Sequence, residues 1–238
     1  MSGRGHGIAA TALAFLVACG PNADKIAELK STQTEIDAKL ATVDKKLDEL
    51  AKAPAPAAPP PAFDPDKIYD LPVDASPAKG SAAAKVLVVE FADFQCPFCA
   101  QSAKLVDDVL KQYPNDVKLV FKQFPLTQIH PLAMHAAKAS LAAHKQGKFW
   151  PFHDVLFDNS RTLQPESVRK YADDSGLDLA RFEKDIASPT IARQIDDEMR
   201  LAREADVRGT PTLFVNGRRV TNRSLEGLKA MIDPLLTK

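Results

Sequence analysis

The chain has 238 residues, and its 31 Lys+Arg balance 31 Asp+Glu, which excludes a basic nucleic-acid-binding surface spread over the whole protein. Hydrophobic residues make up 45%, enough for a folded core, and the length allows one or two domains. Three cysteines are too few for a disulfide-stapled scaffold. The longest apolar run, at 8–18, falls short of the ~20 residues needed to cross a bilayer.

Residues 1–18 have the layout of a secretory signal: Arg4, then the apolar stretch, then small residues before Cys19. The ending Leu16-Val17-Ala18-Cys19 resembles the lipobox of bacterial lipoproteins. The resemblance implies a lipid on Cys19 and a mature protein anchored in the cell envelope, on the periplasmic or another extracytoplasmic face, in an oxidising compartment. Over 24–52 the apolar residues Ile26, Leu29, Ile36, Leu40, Val43, Leu47 and Leu50, with Gln33 as a polar member, step by three and four in turn. This heptad seam predicts a coiled-coil-like helix in the segment 19–52 and a homo-oligomer formed through residues 24–52. Ile26, Gln33, Leu40 and Leu47 take position a, and leucine there with β-branched residues at d tilts away from a parallel dimer. Five prolines between Pro54 and Pro61 make 53–65 a semi-rigid linker, so a structured domain is expected over 66–238.

Within that domain Lys85–Phe91 reads as a buried strand, Ala100–Tyr113 as a helix, and Val117–Phe124 as a second strand, the order of a βαβ unit. Residues 126–206 carry few strand patterns, and helices are expected around Met134–Ala143, Pro165–Asp173 and Ile191–Ala205. Strand pattern returns at Thr212–Val215, turns at Asn216-Gly217 and continues to Val220. An amphipathic helix fits Leu225–Leu236.

Cys96-Pro97-Phe98-Cys99 follows the first strand. Two residues between the cysteines allow a ring to close across one helical turn. A strand-to-helix junction aims free backbone N–H groups and the positive helix end at Cys96, favouring its thiolate. Pro97 suits the first helical position, where its missing N–H had no partner. Cys96 then attacks or is attacked, and the less exposed Cys99 resolves the mixed disulfide. A structural zinc site needs four ligands, but no second cysteine pair exists and the five histidines are not spaced to complete one, so no metal is expected. His130 and His135 read as ordinary helix residues.

Phe91–Cys99 resembles the active-site segment of DsbA-like thiol–disulfide oxidoreductases of the thioredoxin superfamily. Gly209-Thr210-Pro211-Thr212 with the following Leu-Phe-Val-Asn-Gly is similar to that family's cis-proline loop and hairpin. The stretch containing Gln146–Trp150 resembles its helical insertion, placed at about 126–206. The resemblance implies an α/β thioredoxin-like fold with a helical insertion domain. It also implies a nucleophile at Cys96, a resolving thiol at Cys99, a cis-proline at Pro211, and substrate binding by Thr210, Pro97 and Phe98. The redox-active Cys96–Cys99 pair serves without any separate cofactor. Glu90, six residues before Cys96, stands where such folds bury an acid able to shuttle the proton of Cys99. The strongest oxidases of the family carry histidine where this chain has Phe98, which points to a less oxidising pair. The implied activity is the formation, isomerisation or reduction of disulfides in secreted proteins, with a redox partner that the sequence does not identify. The alternative is a structural coiled-coil lipoprotein presenting a thioredoxin-fold peptide-binding module.

Overall fold

The computed structural model describes residues 22–51, 64, 66–73 and 76–237. The signal segment with Cys19 and most of the linker 53–65 lie outside the described residues. The chain divides into two compact units, 1–61 and 62–238.

The first unit contains α1 (Ala23–Ala51), one uninterrupted 29-residue helix. Asp24 stands in its first turn, where a carboxylate complements the helix dipole. The seam holds its spacing with every described apolar member exposed, from Ile26 at 41% to Leu29 at 68%.

The second unit is built on a five-stranded sheet in the order β1-β3-β2-β4-β5. Its strands are β1 (Ala78–Gly80), β2 (Val86–Ala92), β3 (Val117–Gln123), β4 (Thr212–Val215) and β5 (Arg218–Arg219). β2 and β3 run parallel from Val86↔Val117 to Ala92↔Gln123, joined by α2 (Pro97–Gln112) as the βαβ reading expects. β1 and β4 flank them antiparallel, and β5 pairs antiparallel with β4. β2 is apolar at every position but Glu90 because both of its faces are covered. Val86 and Val88 join Val106 and Val109 of α2 and Leu228 and Ile232 of α8 (Leu225–Leu236). Val89 and Phe91 point to the opposite face, in one cluster with Ala202, Ala205 and Phe214. The hairpin between β4 and β5 turns on Asn216 (φ 46°) and Gly217 (φ 79°), the two left-handed positions an Asn-Gly turn supplies. A Cβ on Gly217 would sit 2.3 Å from Tyr69 O.

Between β3 and β4 lies a helical insertion of α3 (Ala133–His144), α4 (Phe149–Asp158), α5 (Pro165–Asp174), α6 (Leu179–Ile186) and α7 (Pro189–Glu204). Its core reaches the cysteines: Cys96 and Cys99 belong to the same apolar cluster as Phe94, Phe121, Phe149, Phe152 and Phe157. Phe94 stacks on Phe121 with centroids 5.3 Å apart, and His153 lies edge-on to both. Burial holds the His153 imidazole below its ordinary pKa. Three elements differ from the sequence reading. β1, α4 and α6 were not expected, and His130 lies in the loop before α3 instead of on a helix.

Candidate active site

The segment that carries the two cysteines begins where β2 ends. Asp93 is fully buried, and its side chain organises the chain that follows. Its Oδ1 accepts from Gln95 N at 2.7 Å, while its carbonyl accepts from Cys96 N at 3.1 Å. Its Oδ2 accepts from Leu126 N and lies against His130 Nδ1, both at 2.8 Å. Asp93 N in turn donates to Cys99 Sγ at 3.5 Å. Gln95 adds a second tie, its Oε1 accepting from Leu132 N. One carboxylate therefore locks the turn into α2 and fastens it to the loop that opens the insertion. The sequence reading missed Asp93, Gln95 and His130 as site residues.

Cys96 is the N-cap of α2 and Pro97 its first residue; no side chain caps the helix. The amides of Phe98 and Cys99 therefore point at the Cys96 sulfur. The hydrogen bond from the Cys99 thiol is the largest influence, and together with the Thr210 hydroxyl and the two amides it brings the Cys96 thiol down to about 5 against the opposing effect of burial. Cys99, fully buried, is pushed far above the ordinary thiol value by burial, by its bond to Cys96 and by the charge of Glu90. One sulfur is thus prepared as a thiolate and the other held as a thiol. Both cysteines are free in the structure.

Glu90 is buried on the α2 face of β2, as the sequence suggested. Burial raises its carboxyl from 4.5 to about 7, with the Ser102 hydroxyl opposing and Asp107 adding. Among the described residues nothing hydrogen-bonds its Oε1. A carboxyl poised near neutrality beside a thiol that ionises with difficulty is equipped to exchange a proton with it.

The loop before β4 closes the site. Thr210–Pro211 is a cis peptide, and Thr210 O lies 3.5 Å from Cys96 Sγ. Arg223 Nη1 donates to Pro211 O at 2.7 Å and holds the loop from the far side. Phe98 is 64% exposed and Pro97 is also exposed, so both expected contact residues face outward. The structure brings together Cys96, Cys99, Glu90, Thr210 and Pro211 as the sequence reading expected; Cys19 is outside the described residues. Among the described residues no group of three or more His, Cys, Asp or Glu could hold a metal ion.

A family model described as thioredoxin matches residues 73–234. The chain belongs to the thioredoxin family. A thioredoxin-like oxidoreductase from Silicibacter pomeroyi has a similar structure, with a TM-score of 0.63 and 30% identity over 69% of this chain and 94% of that one. The alpha-DsbA1 of Wolbachia pipientis shares the fold at a TM-score of 0.62, with 20% identity over 70% of this chain and 94% of that one. A Salinispora tropica protein named Na+/H+ antiporter NhaA 3 is 42% identical over 156 residues, 64% of this chain and 24% of that protein. The chain thus spans about a quarter of the length of the curated relatives it matches. Among the described residues no helix is long and apolar enough to cross a membrane. The thioredoxin-family unit carries α3–α7 as its helical insertion, the arrangement the DsbA-like resemblance implied.

Proposed function

We propose that this thioredoxin-family protein is a thiol–disulfide oxidoreductase acting on cysteines of other exported proteins, with Cys96 as nucleophile and Cys99 as resolving thiol. The observation that carries the reading is the contrast between the two sulfurs across one helical turn: Cys96 held down to about 5, Cys99 pushed well up. In the reductive direction the Cys96 thiolate attacks a substrate disulfide. The substrate's leaving sulfur departs as a thiolate and takes up a proton, and a mixed disulfide joins Cys96 to the substrate. Cys99 then gives up its proton, with Glu90 as the proposed acceptor, and attacks Cys96 Sγ. This releases the second substrate thiol and leaves the Cys96–Cys99 disulfide. Oxidation of a substrate dithiol runs the same steps backwards. Thr210 offers its backbone to the substrate beside Cys96, and exposed Phe98 and Pro97 border the approach.

The thiolate also bears on direction. Thioredoxin, with a nucleophile near pKa ~7, has a potential near −270 mV, and the oxidase DsbA, near ~3.5, lies at about −120 mV. A nucleophile at about 5 lies between the two, which supports a pair more oxidising than thioredoxin and less oxidising than DsbA. The signal-like residues 1–18 and the lipobox support export and anchoring through Cys19, and the exposed seam of α1 supports assembly of several copies on one stalk. Insulin reduction with a thiol donor, with Cys96→Ser as control, tests the activity. Equal turbidity rates for the two proteins would leave only the peptide-binding alternative.

A further inference from the structure

Two open hollows flank Pro211. One lies against α2 and is lined by Phe98, Gln101, Ser102, Leu105, Pro211 and Arg223. The other lies on the β5 side, and among its lining residues Arg208, Arg219 and Arg223 carry charge. Among the described residues lining either hollow there is no carboxylate. The guanidinium groups of Arg219 and Arg223 are held in place. Arg219 Nη2 donates to Ala205 O at 2.7 Å while its guanidinium lies 5.2 Å from the Phe214 ring centre, and Arg223 grips Pro211 O. Asp206, two residues before Arg208, accepts from the Tyr69 hydroxyl at 2.9 Å and lies 3.7 Å from Lys67, and the charges of Arg208 and Arg219 also act on its carboxylate.

We infer that this groove selects substrate segments whose reacting cysteine is flanked by Asp or Glu. The inference rests on the exchange activity proposed above and names its substrate class. A segment whose sulfur meets Cys96 must lie along the loop at Thr210, whose carbonyl is 3.5 Å from that sulfur. Arg208 lines the same hollow as Thr210, so side chains one or two positions from the substrate cysteine come within reach of it. A carboxylate there meets three guanidinium groups, with Asp206 as the acid beside them but outside the lining, whereas a lysine meets repulsion. The α2 side, with exposed Phe98 and half-buried Leu105, takes an apolar neighbour.

The test uses the full chain in its oxidised form and three nine-residue peptides, each with one cysteine flanked on both sides by Glu, Gln or Lys. The peptide thiolate attacks Cys96 Sγ, the Cys96–Cys99 bond breaks, and Cys99 leaves as a thiolate that takes up a proton; the adduct is counted by mass spectrometry. Rates are compared per thiolate, because flanking carboxylates raise the peptide's own thiol pKa. The expected order is Glu over Gln over Lys, about tenfold between the extremes at low salt and shrinking towards twofold at 0.5 M NaCl, as exposed charge pairs do. Arg208→Gln should cut the Glu-to-Lys ratio at least twofold and Arg208→Lys restore it. Equal rates for all three peptides, or a ratio indifferent to Arg208→Gln, overturn charge selection while leaving exchange intact. Absence of any adduct with all three overturns the exchange reading and this inference with it.

Discussion

Replacing Glu90 with Gln should stabilise the reduced protein, and by an amount that depends on pH. The side chain is buried, and burial raises its carboxyl from 4.5 to about 7. Below pH ~4.5 the carboxyl is protonated in both the folded and unfolded states, so its ionisation contributes nothing to the difference. Between pH 4.5 and 7 the unfolded chain releases the proton and the folded one keeps it, so stability falls as pH rises. Above pH 7 the folded protein carries a buried carboxylate. The full displacement, at ~1.4 kcal/mol per pH unit, amounts to about 3 kcal/mol. Gln has nearly the same shape and no charge, so the variant escapes this loss. Its own hydrogen-bonding cost is the same at every pH and cancels in the comparison. Urea unfolding under reducing conditions at pH 4.5, 6 and 8.5 measures it. The Glu90→Gln advantage over the parent should grow by about 3 kcal/mol between the first and last pH, equivalent to roughly 6–12 °C in Tm for a domain of this size. A difference between the two proteins that stays flat across that range refutes the buried, proton-holding Glu90 and its proposed part in deprotonating Cys99.

Three further outcomes are expected. Thiolate absorbance of the reduced protein should titrate with a midpoint near pH 5, disappear in Cys96→Ser, and shift upward in Cys99→Ala, because the Cys99 thiol is the largest influence holding Cys96 down; a midpoint near ~8.5, the value of an unperturbed thiol, contradicts the site electrostatics. Asp93→Ala should cost about 3 kcal/mol in urea unfolding by stranding the amides of Gln95 and Leu126 and the His130 imidazole, whereas a loss below ~1 kcal/mol shows that the turn holds without it. Light scattering of a chain beginning at Asn22 should give a multiple of the monomer mass, and a chain beginning at Phe63 or carrying Leu29→Lys and Leu40→Lys should give a monomer; monomers throughout dismiss the oligomer.

Much of this architecture was legible because burial leaves a local mark. β2 is covered on both faces and so reads as an apolar run broken only by Glu90, and Asn216-Gly217 marks the β4–β5 hairpin with a residue pair that adopts both left-handed positions easily. Helix α8 matched its expected limits because its apolar stripe is narrow and Ser224 caps it, accepting from Gly227 N at 3.0 Å. Elements defined by their neighbours left no such mark. β1 is Ala-Lys-Gly, without strand propensity, and exists because it pairs with Leu119 and its neighbours on β3. In α4, Phe149, Phe152, His153, Leu156 and Phe157 are all buried between the sheet and the other insertion helices, which blurs the helical period. The cysteines and Pro211 were visible as motifs, and Glu90 through its apolar neighbours. The Asp93–His130 contact joins residues 37 positions apart, and no local pattern announces a carboxylate that organises a turn from inside the core.

In the proposed exchange Cys96 makes the covalent contact with substrate while Cys99 resolves it. Cys99→Ser leaves the prepared thiolate without its resolving partner, so mixed disulfides with substrate proteins should accumulate and dissociate under reductant. Mass spectrometry of trypsin-digested adducts locates the linked sulfur. Substrate peptides should be joined through Cys96 in the Cys99→Ser protein and absent from Cys96→Ser; adducts found on Cys99 in Cys96→Ser and absent from Cys99→Ser would reverse the two roles.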